Sequence, residues 1–163
     1  MLATAAAIFS LLLITTGLAK LARPHDVQRA LTELGFPRIP GLGLLVGFIE
    51  VGVGIGSLLI PEFLLLQGVL FAVFAAWVVV ALRSGLPIAS CGCLGRSDTP
   101  PTASHVFLNL LAVVVSLGAA VGDPLSLGAG LELVAQVVVV LAGLFLSYVV
   151  LTDLAHLSGV ARR

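Results

Sequence analysis

Residues 63–82 read FLLLQGVLFAVFAAWVVVAL, from Phe63 to Leu82 without one charged side chain, and Arg83-Ser84-Gly85 stops the run. A helix crossing the hydrocarbon core of a bilayer needs about 20 predominantly apolar residues. This stretch meets that length and sets the solvent for the rest of the chain. The 163 residues are 60% hydrophobic and 10% charged, with a mean hydropathy of +1.22. A soluble domain carries about 25% charged residues. So few charges cannot cover a globule in water, but they suffice where lipid is the solvent. The formal net charge is zero and the basic residues are scattered, which leaves nucleic-acid binding without an electrostatic footprint.

Working outward, Leu2 to Leu21 and Ile39 to Ile60 fit as spans, the second interrupted by Glu50. Val106 to Val121 is shorter and spans with Ser104 and His105 in the headgroup region; Leu133 to Leu151 is a fifth. The expected fold is an all-α polytopic membrane bundle, a four-helix core plus a fifth C-terminal transmembrane helix, in one domain over 1–163. Met1 to Ala19 has no Lys or Arg before its apolar run, and Gly17-Leu18-Ala19-Lys20 is a poor cleavage site, so this stretch reads as a retained helix. Between the first two spans, residues 24–35 read as a short amphipathic helix. Val27, Leu31 and Leu34 recur at helical spacing, Pro24 suits its first turn and Gly35 its end. It lies in the interface plane or serves as a plain connector. Gly43/Gly47 and Gly52/Gly56 are small-xxx-small pairs that suit close packing in lipid. They place the second span centrally in the bundle or in a homodimer.

Lys20, Arg23, Arg29 and Arg38 flank the first connection, Arg83 and Arg96 the third, and Arg162-Arg163 end the chain. With five spans these all fall on one side, opposite Glu62, Asp123 and Glu132. The positive-inside rule then puts the N-terminus outside and the loop of residues 84–104 in the cytoplasm.

That loop carries both cysteines, in Ser90-Cys91-Gly92-Cys93-Leu94-Gly95. A disulfide between residues two apart closes too small a ring to restrain the unfolded chain much, so a structural staple explains it poorly. Strained bridges have more oxidising potentials, as catalytic ones do. The same thiolates suit Cu(I) or half a zinc site, and the bland alternative is a pair of unremarkable reduced thiols. Pro100-Pro101 leads to Thr102 or Ser104 as the N-cap of the fourth span. His105 and Asn109 share a face there; His105 is a candidate proton donor or acceptor in thiol exchange, a metal ligand, or an interfacial polar cap. His25 and His156 fall on the same side as the cysteine loop. A carboxylate at mid-span, such as Glu50, marks function or a buried partner. It reads as a proton relay, a contact with Asn109 to a quinone headgroup, or a polar pin to Asn109, Gln67, Gln136 or Tyr148.

Gly17-x-x-Lys20-x-x-x-Pro24, Ala30-Leu31-x-x-x-Gly35, Glu50-x-x-x-Gly54 and Gly85-x-x-Ile88-x-x-Cys91-Gly92-Cys93-Leu94-Gly95 follow in that order. Together they resemble the methylamine-utilisation MauE family, within the broader DoxX-like group of small bacterial membrane proteins, from about Leu2 to Val121. Leu94 replaces the family's usual Phe, and Leu108 stands where a basic residue is frequent. The resemblance implies a multi-pass protein of the bacterial inner membrane, associated with thiol–disulfide redox. It also implies a thioredoxin-like partner that matures a periplasmic, disulfide-rich subunit. That role prefers the thiols outside, whereas the charge bias places them inside; sidedness is taken from the charges. The leading expectation is a membrane thiol–disulfide oxidoreductase using Cys91 and Cys93, with quinone a candidate acceptor. A non-enzymatic assembly subunit and a soft-metal site are the alternatives. The chain has no second cysteine pair, so any exchange with a partner is direct.

Overall fold

The computed structural model describes residues 2–33, 35–84, 101–122 and 131–160. They form six helices: α1 (Leu2–Ala22), α2 (Pro24–Glu33), α3 (Leu42–Leu59), α4 (Phe63–Arg83), α5 (Ala103–Ala120) and α6 (Leu131–Val160). Among the described residues there is no strand. Four of the helices, α1, α3, α4 and α5, are long and apolar enough to cross a membrane. Their outward faces carry exposed Phe48, Leu59, Val69, Val114 and other large apolar side chains. Helices satisfy their own backbone groups, which is what lipid demands of a spanning segment. The chain is a polytopic membrane protein.

The span boundaries follow local chemistry. Gly41, with φ of 78°, starts α3 three residues later than the apolar run alone suggests. Thr102 is the N-cap residue of α5, so that helix begins at Ala103 and gains the length that Val106 to Val121 lacked. The fifth element is longer than residues 133–151 as a helix, but its described apolar stretch is only Val134–Ser147. It packs against α1 and α5, with Gly143 close to Ile8.

Glycine decides how close the helices come. A Cβ on Gly17 of α1 would lie 2.8 Å from the Gly47 carbonyl oxygen and 2.9 Å from Cβ of Glu50. Farther along the same antiparallel pair, Gly54 sits against the Ser10 carbonyl and Ile14. The buried positions of α3 are Gly43, Gly47, Gly54, Gly56 and Glu50, a seam of backbone with a single carboxylate in it. The central helix is therefore α1, which touches α2, α3, α5 and α6, and α3 is the partner laid closest to it. This corrects the expectation that the second span is the centre. The glycines expected to suit a homodimer are mostly packed within the chain. Gly43 and Gly47 are consumed within the chain against Pro24 and Leu21, Gly56 faces Phe63, and Gly52 alone looks into open space.

The apolar core joins Phe9, Leu12 and Leu13 of α1 to Leu64 and Phe71 of α4 and Ala112 and Val115 of α5. Phe9 meets Phe71 edge to face at 5.7 Å, the arrangement their ring quadrupoles favour. The alternation of directions brings the C-terminal ends of α1 and α4 and the N-terminal ends of α3 and α5 to one end of the bundle. Residues 85–100, with Cys91 and Cys93, connect α4 to α5 at that end and lie outside the described residues, as do the side chains of Tyr148 and His156.

Candidate functional site

Three sets of buried polar side chains in α1 to α5 interrupt the core, and they differ in how completely they are satisfied. The first lies between α1 and α3. Lys20 is in the last turn of α1, where a long cationic side chain normally snorkels out to water. Here it turns inward. Its Nζ is 2.7 Å from Oε1 of Glu50 and donates to Oε2 at 2.9 Å. Thr16 Oγ1 donates to the same Oε2 at 3.3 Å. The Phe74 ring of α4 closes the cation's open side, its centroid 5.6 Å from Nζ, within reach of a cation–π attraction. The Lys20 side chain is 3% exposed and that of Glu50 0%. Taking each charge out of water costs several kcal/mol, which the pair recovers only through close geometry and extra hydrogen bonds. Gly17 supplies that geometry, because any side chain there would push Glu50 away.

Glu50 thus has its partners in Lys20 and Thr16, not in the Asn109, Gln67, Gln136 or Tyr148 that its sequence position suggested. The reading missed Lys20 because it counted that residue as a headgroup charge. The available signal was an uncompensated carboxylate eight residues into α3, about 12 Å along the axis. A basic residue just inside the end of the preceding span was its natural counter-charge. Lys20 neutralises Glu50, so the exposed Arg23, Arg38 and Arg83 carry the basic charge at that end.

The second group is closed on itself. Ser10 Oγ donates to Gln67 Oε1 at 2.7 Å; Gln67 Nε2 donates to Ser116 Oγ at 3.0 Å and to the Ala6 carbonyl at 3.3 Å. All three side chains are buried. This network pins α1, α4 and α5 together, and it offers no unsatisfied atom to a ligand. Its role is structural.

The third group is open. His105, in the first turn of α5, is fully buried. Its Nδ1 is 2.7 Å from Thr102 Oγ1, which therefore engages the ring instead of capping a backbone N–H. With Nδ1–H donating, Nε2 carries a free lone pair; with Thr102 donating, Nε2 carries the proton. In either case Nε2 has no hydrogen-bond partner among the described residues. Asn109 Nδ2 donates to the His105 carbonyl at 2.7 Å, so it secures the helix turn beneath the ring and is not brought to Glu50. A buried ring nitrogen without a partner is costly, and His105 Nε2 shares that state among the described residues with Gln28 Nε2 and with Glu50 Oε1, which has the Lys20 ammonium beside it.

These residues do not fit a quinone at Glu50: its carboxylate is wholly buried, both oxygens face Lys20, and Asn109 is occupied elsewhere. Among the described residues no three His, Cys, Asp or Glu side chains cluster in a way that would hold a metal ion.

Four helices long and apolar enough to cross a membrane, joined by a buried ion pair and a buried polar network, make this chain a small polytopic membrane protein. The family model of methylamine utilisation protein MauE matches residues 1–122, and the chain belongs to that family. The match ends just beyond α5, so α6 lies outside the matched residues. No curated protein and no solved structure matches the chain.

Proposed function

We propose that this MauE-family membrane protein is a thiol–disulfide exchange protein whose redox pair is Cys91 and Cys93, with His105 as its proton-transfer group. The observation that carries this reading is the buried Nε2 of His105, without a hydrogen-bond partner among the described residues, in the first turn of α5, shortly after the sequence segment that holds both cysteines. Family membership and the Cys91-Gly92-Cys93 spacing support it. The proposed partner is a protein disulfide of the thioredoxin type. One thiolate attacks a partner sulfur, forming a mixed disulfide and expelling the partner's other sulfur as a thiolate. The second thiolate then attacks the first cysteine's sulfur, closing the Cys91–Cys93 bridge and freeing the partner's second sulfur. Two electrons and the two thiol protons pass to the partner, and the reverse sequence reduces the bridge. Thiolate is the nucleophile, so a nearby group that takes and returns the proton speeds each step.

The charge bias of Arg23, Arg38 and Arg83 supports a cytoplasmic location for this loop, in the inner membrane of a bacterium. Incubated with an oxidised thioredoxin-like protein, one of Cys91→Ser and Cys93→Ser should accumulate a mixed disulfide, visible on a non-reducing gel and lost with dithiothreitol. Replacing His105 with glutamine should slow exchange of the otherwise intact protein by about 10²-fold, the low end for removing a general acid–base group. If neither cysteine variant traps a partner and His105→Gln exchanges at the normal rate, the redox reading is wrong.

A further inference from the structure

The connection between α1 and α3 is folded back into a strap, and its construction points to a second binding partner. Gly43 has no Cβ because the Pro24 carbonyl occupies that space, which fixes the start of α2 against the start of α3. The strap then doubles back. Gly35 adopts φ of 83°, the Phe36 amide donates to the Leu31 carbonyl at 3.0 Å, and the Ile39 amide donates to Gln28 Oε1 at 3.0 Å. Its tip reaches α4, where the Phe36 ring lies 6.1 Å from the Trp77 ring. Trp77 is six residues before Arg83 at the end of α4, about 9 Å along the axis. The strap therefore lies against the sides of the spans at interfacial depth.

The exposed residues of this strap fall into two kinds. Phe36 and Ile39 are about half exposed. Arg23, Arg38 and His25 are exposed, and Arg29 is 59% exposed. Arg23 and Arg38 make no ion pair among the described residues, and Arg29 reaches Asp26 only at 3.9 Å. The acidic residues are more withdrawn: the Asp26 side chain is 12% exposed, and Glu33 is half-buried and engaged within the protein. Exposed guanidinium groups beside exposed apolar side chains match the layered chemistry of a lipid headgroup, phosphate above and acyl chain below.

We propose that this strap is a binding site for anionic phospholipid, with Arg23, Arg29 and Arg38 on the phosphate and Phe36 and Ile39 against the upper acyl chains. The site is independent of the dithiol reading. It gives α2 a function that a plain connector lacks, and it selects the leaflet in which anionic lipid is abundant.

Trp77 is the only tryptophan of the chain and its ring lies beside that of Phe36 in the strap, so it reports the lipid next to it. The full-length protein is reconstituted in phosphatidylcholine with brominated acyl chains, which quench tryptophan, and unbrominated phosphatidylglycerol is titrated in. Relief of quenching gives the relative affinity of the two lipids next to Trp77. Wild type should prefer phosphatidylglycerol by at least about fivefold, the effect of one arginine near an anionic headgroup, and the preference should fall with salt. The triple variant R23Q/R29Q/R38Q should bind the two lipids equally while keeping wild-type helicity and Trp77 quenching in pure brominated phosphatidylcholine. Equal affinities in wild type would overturn the proposal, and so would an unchanged preference in the triple variant. A strap that docks an acidic protein instead of lipid gives the first of those results.

Discussion

Lys20→Met and Glu50→Met are each expected to destabilise the bundle far more than the two together. Either single change leaves one charged group fully buried opposite an apolar side chain, and breaking a buried pair in this way costs about 3–5 kcal/mol. The double variant removes both charges and their desolvation penalty, and replaces them with side chains flexible enough to fill the space. It should unfold within about 1 kcal/mol of wild type, because apolar replacement of a whole buried pair is often neutral or stabilising. Unfolding of the four proteins in one detergent gives the coupling directly as a double-mutant cycle. Additive single effects would mean that Lys20 and Glu50 do not act as a pair. The same set separates structure from function: if the double variant is stable yet exchanges thiols normally, the pair is a helix–helix fastener alone.

Gly17→Ala and Gly52→Ala make a second sharp contrast, since both glycines sit in membrane spans and only their surroundings differ. The added methyl at position 17 would lie 2.8 Å from the Gly47 carbonyl oxygen, 2.8 Å from Val51 and 2.9 Å from the Glu50 Cβ. Two of these are backbone or first side-chain atoms of α3, so the helices must separate and no rotamer change relieves the contact. Overpacking of this kind costs about 1–3 kcal/mol, and separating α1 from α3 also lengthens the Lys20–Glu50 contact, which raises the expected loss for Gly17→Ala. Position 52 faces open space, and the same methyl there should be neutral or stabilise by about 0.5–1 kcal/mol through helix propensity. Parallel thermal unfolding of the two variants checks this; equal effects would contradict the close α1–α3 seam.

Much of this architecture was legible in the amino-acid sequence, because lipid permits few alternatives. A charge-free run such as residues 63–82 has to be a helix, and run length places three of the four long spans, the fourth needing the residues before Val106 to reach its length. Boundaries depended on local residues: Gly41 delayed α3, and Thr102 advanced α5. Helix order in space was less legible. Gly43 and Gly47 announced a close contact without naming the opposing surface, which is the Pro24 backbone for Gly43 and Leu21 with the Gly17 carbonyl for Gly47. Glu50 was conspicuous as a carboxylate in an apolar run. Its partner was hidden because a lysine near a span end ordinarily snorkels outward, and only tertiary packing turns Lys20 inward. Ser10, Gln67 and Ser116 were each unremarkable alone, and they become one network only when three helices meet. His105 was marked by its place after the cysteine segment; that its Nδ1 is held by Thr102 while Nε2 has no partner among the described residues depends on a rotamer no spacing rule supplies.

The central claim, that Cys91 and Cys93 cycle between dithiol and disulfide at the cytoplasmic face, is tested most directly by thiol labelling. Membrane vesicles of each orientation are exposed to an oxidised thioredoxin-like protein, then to an impermeant maleimide, with and without prior reduction. The account predicts no label before reduction and, after it, labelling of both cysteines only where the cytoplasmic face is outward. Full labelling without reduction would contradict the redox cycle, and labelling confined to the opposite vesicles would contradict the sidedness.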